Sequence, residues 1–284
     1  MIVATWEEFL GERTAAGKDL RQRPAWLTVG VFDGLHLGHR RLIAAVTGGG
    51  SRGPGKPLPV VITFRRPPGH LLGRPGVPGL ILSLPQKLDR LAALGVGAAG
   101  LIDFSEEIRT LSGWDFIDLL RARLAIERIV VGPNFRFGMN RDADVHDLAA
   151  MLAASPTTVQ AIEPVRLGGE TVSSSRIRRA VREGDLELAA AMLTAPHEID
   201  LAGVATVREG AGALRLSRAD VPQVLPAAGT WDVTGRSREG DVPGTLEAAE
   251  ESVVVRFARD AAVTALAFAT NEGNERSPRD GIDS

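Results

Sequence analysis

Between residues 27 and 165 the apolar positions gather into five continuous runs: LTVGVF (27–32), LPVVITF (58–64), AAGLIDF (98–104), RIVVG (128–132) and TVQAIEPV (158–165). Continuous rather than alternating runs mark strands covered on both faces. The segments between them carry a helical period: residues 38–46, LPQKLDRLAALG (84–95), SGWDFIDLLRARLA (112–125) and DADVHDLAAMLAAS (142–155). The second ends on Gly95, a residue suited to a C-cap, and the third sets Trp114, Ile117, Leu120 and Leu124 on one stripe. Strands alternating with helices predict an α/β domain, a parallel sheet built from right-handed βαβ units. Two Gly/Pro-rich stretches, TGGGSRGPGKP (47–57) and RRPPGHLLGRPGVPG (65–79), read as loops at strand ends, where α/β proteins carry substrate contacts.

The pattern changes after residue 195. LAGVATVREGAGALRLS, AAGTWDVTG and ESVVVRFARD are short strand-like runs separated by Gly, Pro and acidic turns. The expected organisation is an α/β domain over 1–195, a small β-rich domain over 196–270, and a tail over 271–284 too polar to order.

Composition narrows the function classes. The net charge of −2 gives no basic field for nucleic acid, and no polybasic segment suits a membrane surface. Cysteine is absent, which excludes disulfides, thiolate metal sites and a cysteine nucleophile, and accords with a reducing cytoplasm. The opening MIVATWEEFLGERT lacks the basic-then-apolar order of a signal peptide. No run reaches the roughly 18 apolar residues of a spanning helix.

The densest chemistry lies in GVFDGLHLGH (30–39), which holds two of the chain's five histidines. A buried strand delivers the chain to Asp33-Gly34, a turn dipeptide, and a helix opens at Gly38. The free N–H groups and positive dipole end of that helix suit an anion. His36 and His39, spaced i, i+3, share one face of the first turn, and Gly38 between them admits a close approach to the backbone. A structural histidine pair and a metal pair are the competing readings, the second lacking a third protein ligand of recognisable spacing. Further on, Ser173, Ser174 and Ser175 precede a helix with Arg178 one turn in, a second arrangement suited to phosphate.

TVGVFDGLHLGHRRLI resembles the HxGH signature of nucleotidylyltransferases, in the form carried by the FMN adenylyltransferase module of bacterial FAD synthetases. Other stretches fall in that family's order. VVITF (60–64) is similar to its second strand and LSLPQKLDRLAALGV to its Leu-Thr-x-x-x-Glu-Lys helix. VVGPNFRFG (130–138) resembles its Gly-x-Asp/Asn-Phe-x-Phe-Gly loop, and VSSSRIRRAVREGDLELAAAML (172–193) its Ile-Ser-Ser-Thr-x-Ile-Arg segment. The resemblance spans roughly residues 20–195.

What it implies is a Rossmann-like domain that transfers the adenylyl group of ATP, carried with Mg²⁺ on its phosphates, to FMN. His36 and His39 would be the catalytic pair. Gly30, Phe32, Asp33, Gly34, Gly38, Asn134, Arg136, Ser174, Ser175 and Arg178 would contact nucleotide. Phe135 and Phe137 are equally suited to core. Phe64, Arg65 and Arg66 would face the acceptor, yet here the chain departs from the family: FRRPPG replaces Phe-x-Pro-His-Pro. Gln86 stands for the usual Glu, Ser175 for Thr, and Ala143-Asp144 for a common Gly-Asp pair. The C-terminal region resembles a degenerate riboflavin kinase barrel. It has no Pro-Thr-x-Asn, and residues 141–270 contain no asparagine. The expectation is FAD and pyrophosphate formation without riboflavin kinase activity. A different phosphorylated acceptor, or a non-catalytic nucleotide- or flavin-binding protein, remains the alternative.

Overall fold

The structure, a computed structural model, describes residues 1–11, 23–48, 55–66, 79–103 and 105–270. Most of both Gly/Pro-rich stretches and the whole of the 271–284 tail lie outside the described residues. By their contacts the described residues form two compact units. One draws on Met1–Phe32, Gly38–Val77 and Leu88–Pro164; the other on Asp33–Leu37, Pro78–Lys87 and Val165–Ser284.

The first unit is built on a six-stranded sheet. Its strands are β1 (Ile2–Thr5), β2 (Pro24–Val29), β3 (Leu58–Phe64), β4 (Ala98–Ile102), β5 (Ala125–Val131) and β6 (Thr158–Ala161). The spatial order is β1-β4-β3-β2-β5-β6, with every neighbouring pair parallel. Helices along this part of the chain include α1 (Trp6–Leu10), α2 (Leu37–Thr47), α3 (Leu84–Ala93, its first turn belonging to the second unit), α4 (Gly113–Arg123) and α5 (Val145–Leu152), with a short helix at Glu106–Thr110. Leu27, Thr28 and Val29 in β2, and Val60 through Thr63 in β3, are all buried, so consecutive side chains are covered on both faces as the apolar runs predict. One core cluster joins Trp6 and Phe9 of α1 to Leu27, Val60, Ile62, Phe116, Ile117, Leu120 and Leu148. Phe137 belongs to it and Phe135 packs against it.

Two differences from the sequence reading have local causes. The periodic pattern gave no element before residue 27, yet β1 and α1 are there; Thr5 and Glu8 form a reciprocal capping box that starts α1. The 142–155 helix begins only at Val145. Asp144 caps it by accepting from the His146 and Asp147 N–H groups, and Ala143-Asp144 pairs as a short strand with Arg136-Phe137.

The second unit carries helices α6 (Ser174–Glu183) and α7 (Leu186–Leu193) and a seven-stranded antiparallel sheet, a curled half-barrel. Its strands are β7 (Glu198–Asp200), β8 (Thr206–Arg208), β9 (Ala213–Ser217), β10 (Gly229–Ser237), β11 (Val242–Ala248), β12 (Ser252–Phe257) and β13 (Val263–Phe268), in the order β7-β13-β10-β11-β12-β9-β8. Val233, Val242, Leu246, Val255 and Leu266 are buried in it. No helix among the described residues is long and apolar enough to cross a membrane.

The glycine that ends VVGPNFRFG has a physical reason. Gly138 sits at φ 78, and a Cβ there would lie 2.5 Å from the Gly113 nitrogen and against the Asp142 carboxylate. Gly168 has φ 60 with nothing within 4 Å of a built Cβ. Gly138→Ala is expected to cost about 2–4 kcal/mol, left-handed strain plus overpacking. Gly168→Ala should cost only about 1 kcal/mol. Urea midpoints of the two variants check the contrast.

Candidate active site

β2 ends at Val29, and the Gly30 N–H donates to the Ile62 carbonyl at 3.0 Å. The chain then turns sharply: Phe32, Gly34 and Leu35 have φ of 50, 93 and 46. Glycine takes such values freely, whereas Phe32 and Leu35 each carry backbone strain of roughly 1 kcal/mol. Both side chains are buried, which holds them there. The Phe32 ring meets the His39 imidazole edge-on, centroids 5.1 Å apart. Helix α2 starts at Leu37, one residue earlier than expected, so His39 lies in its first turn and His36 just before it.

Asp33 is the fixed point of this loop. Its side chain is buried, with the residue 2% exposed. The carboxylate accepts the Ile81 N–H at 3.0 Å and the Leu82 N–H at 3.1 Å, and it pairs with the Arg178 guanidinium. Its main-chain carbonyl accepts the Ser174 hydroxyl at 2.8 Å. Arg178, with its side chain 12% exposed, also donates from Nε to the Gly79 carbonyl at 2.7 Å. Loop 33–37, segment 79–82 and the start of α6 are thereby tied at one carboxylate.

Lys87 adds a second buried cation. It is 3% exposed, and burial lowers its pKa to about 8 while the charge of Asp33 opposes the fall. At neutral pH it keeps its proton. Asp33 thus lies among two largely buried cations, Arg178 in direct contact with its carboxylate and Lys87 near enough for the two charges to interact. His36 behaves oppositely. It is 6% exposed, and burial pushes its pKa down to about 4, so at neutral pH the ring is uncharged and acts as a hydrogen-bonding imidazole.

Helix α6 begins as the serine run predicts. The Ser173 side chain caps it, accepting the Arg176 N–H at 3.2 Å, and Gly184 closes it at φ 81. Ser175 lies exposed in the first turn, where helical N–H groups lack intrahelical partners. The hydrogen bonds of Ser174 and Arg178 run instead to Asp33 and Gly79, within the protein. Arg176 holds the neighbouring hairpin through the Leu167 and Glu170 carbonyls at 2.9 and 3.0 Å.

The remaining candidates sit in the first unit. Asn134 and Arg136 follow β5, the sheet neighbour of β2, both exposed; Arg136 pairs with Asp144 at 3.6 Å. Phe64 ends β3. Arg65 pairs with Asp103, its Nε 2.9 Å from the carboxylate, and Arg66 is exposed. The rest of FRRPPG lies outside the described residues. Among the described residues no three His, Cys, Asp or Glu side chains are placed to hold a metal.

Sequence reasoning missed Lys87, although it lies inside the quoted LSLPQKLDRL stretch. It also read Asp33 only as a turn residue and a nucleotide contact. No local pattern announces that a carboxylate will be buried against residues far along the chain.

The model of the FAD synthetase family matches residues 18–176, more than half of the chain. The chain belongs to the FAD synthetase family. A bifunctional riboflavin kinase/FMN adenylyltransferase of Escherichia coli (strain K12) is 31% identical over 212 residues, 73% of this chain and 66% of the relative. That of Bacillus subtilis (strain 168) is 31% identical over 180 residues, 63% of this chain and 56% of the relative. That of Buchnera aphidicola is 29% identical over 168 residues, 59% of this chain and 53% of the relative. The matched part of this FAD synthetase family member thus spans between about half and two thirds of those relatives' length. A crystal structure described as a macrolide-efflux protein from Streptococcus pneumoniae shares the fold, with TM-score 0.77 and 21% identity over 98% of this chain and 94% of that one.

The lowered pKa of His36 has a consequence for this FAD synthetase family member's stability. Between pH 6.5 and about 4 the unfolded chain binds a proton at this position that the folded chain refuses. Stability from this group is therefore complete above pH 6.5 and falls as the pH drops toward 4, by about 3 kcal/mol. His36→Gln should remove that part of the acid slope, measured as the difference between wild-type and variant urea unfolding at pH 7 and pH 4.5.

Proposed function

We propose that this FAD synthetase family member transfers the adenylyl group of ATP to the phosphate of FMN, forming FAD and pyrophosphate. The observation that carries the reading is the Asp33 anchor: one buried carboxylate fixes loop 33–37, which bears His36, to the start of α6. An FMN phosphate oxygen attacks the α-phosphorus as the α–β bridging bond breaks, so no protein nucleophile enters. Catalysis is then positioning and charge stabilisation. His36, uncharged at neutral pH, and His39 donate to the α-phosphoryl oxygens, and Gly30, Phe32, Gly34 and Gly38 shape the backbone that the nucleotide meets. Ser175 and the first N–H groups of α6 receive the leaving pyrophosphate, with Arg178, Ser174 and Asp33 holding that end of the site in shape. Asn134 and Arg136 contact the nucleoside. Mg²⁺ carried on the ATP phosphates would offset their charge.

The transferase domain is assigned to residues 1–195 and the barrel remnant to 196–270, with no partner beyond ATP and the acceptor invoked. A chain without cysteine suits the reducing cytoplasm, where we place the reaction. The acceptor side rests on Phe64, Arg65 and Arg66. Since Arg65 is paired with Asp103, Arg66 is the cation offered to an acceptor phosphate. The departure of FRRPPG from the family pattern supports a second reading, transfer to another phosphorylated acceptor. Riboflavin kinase activity is not expected, because 196–270 has no Pro-Thr-x-Asn and no asparagine.

Incubating the chain with ATP, Mg²⁺ and FMN should yield FAD by chromatography, and His39→Ala should lower the rate by at least about 100-fold with the fold retained. Unaltered turnover in that variant would remove His39 from the mechanism. ATP consumed only with another acceptor would favour the second reading, and FMN formed from riboflavin and ATP would overturn the kinase assignment.

A further inference from the structure

A β-rich domain without the kinase motif still makes an extensive polar attachment to the segment that grips Asp33. Segment 79–86 lies against residues 222–224: the Leu80 N–H donates to the Pro222 carbonyl at 2.9 Å, and the Val224 N–H donates to the Leu80 carbonyl at 2.8 Å. The approach is so close that a Cβ on Gly79 would lie 2.7 Å from the Val224 nitrogen. Gln223 is 3% exposed and uses both ends of its amide. Nε2 donates to the Ile81 carbonyl at 3.0 Å, the Glu198 carbonyl at 2.8 Å and Gln86 Oε1 at 3.1 Å, while Oε1 accepts the Asp200 N–H at 2.7 Å. Ser83 Oγ donates to the Asp200 carboxylate at 2.6 Å. The 222–224 segment is itself fixed to the sheet. His197 contacts the Val224 carbonyl through Nε2 at 2.8 Å, stacks on Phe268 and accepts the Phe268 N–H on its own carbonyl.

The opposite side of segment 79–82 presents the groups that hold the loop: the Ile81 and Leu82 N–H groups toward Asp33, and the Gly79 carbonyl toward Arg178. Ile81 links the two attachments, its carbonyl held by Gln223 and its N–H by Asp33. We infer that the C-terminal half-barrel serves the transfer reaction as a brace, with Gln223 a positioning residue that fixes the 79–86 segment and through it the Asp33 loop bearing His36. The inference rests on the proposed adenylyl transfer for its catalytic consequence. Its structural part stands on these hydrogen bonds alone.

The test uses the full chain with Gln223→Leu, which keeps the bulk and removes all four hydrogen bonds, and Ser83→Ala as a milder second break. Amide hydrogen exchange at Ile81 and Leu82 should accelerate about tenfold in Gln223→Leu, while Leu246 and Val255 in the sheet stay protected. The kcat for FAD formation should fall about tenfold with KM for ATP changed less than about twofold, the signature of lost positioning rather than lost binding. Unchanged exchange at Ile81 and Leu82 in folded Gln223→Leu overturns the brace. So does faster exchange with unchanged kcat, since the attachment would then not reach the chemistry. If Gln223→Leu fails to fold, Ser83→Ala is judged by the same two readouts, each expected to move severalfold. A wild-type chain that makes no FAD defeats the functional reading instead, and exchange alone then decides the brace.

Discussion

A carboxylate removed from water must find compensation within the protein, and Asp33 finds it in three places at once. Taking such an ion into a poorly polarisable interior costs several kcal/mol even after relaxation. Two backbone N–H groups from segment 79–82 and the guanidinium of Arg178 supply the opposing interactions, and Lys87 adds a second positive charge to its surroundings. None of these partners is local to Asp33. The carboxylate is stable only when loop, segment and helix are assembled, so their assembly is cooperative. Losing any one donor leaves an ion partly unsatisfied, which is why such clusters are rigid.

That rigidity suits a loop whose backbone is strained. Phe32 and Leu35 adopt conformations that side-chain-bearing residues avoid, and their burial together with the Asp33 anchor keeps the turn closed. The reward is a sharp strand-to-helix passage that leaves His36 buried and uncharged directly before α2, with His39 one turn further. A neutral imidazole can donate a hydrogen bond without carrying a fixed charge. In the brace we infer, the half-barrel reaches the same loop through Gln223 and segment 79–82.

The α/β framework was legible because both faces of β2, β3 and β5 are covered, and such strands announce themselves as unbroken apolar runs. The HLGH and SSSRIR stretches stand out in the sequence by glycine, histidine and serine at fixed local spacing, and the structure ties the loop bearing His36 to the start of the helix that the serines open. β1 and α1 escaped the periodic reading because elements this short barely repeat a period, although Thr5 and Glu8 carried a capping-box signal. What sequence could not yield was long-range electrostatics. Arg178 reads as a phosphate ligand beside three serines, but its guanidinium faces Asp33, and Lys87 and Gln223 gain their roles only from burial.

The claim that Asp33 and Arg178 form the organising pair is tested most directly by a double-mutant cycle, Asp33→Asn, Arg178→Met and the combination, in urea unfolding at pH 7. A buried, mutually dependent pair predicts a coupling of about 2–3 kcal/mol. Each single change should destabilise strongly, and the double change by much less than their sum. Additive effects, with coupling below about 0.5 kcal/mol, would contradict the account and return Arg178 to the role of a ligand-facing cation.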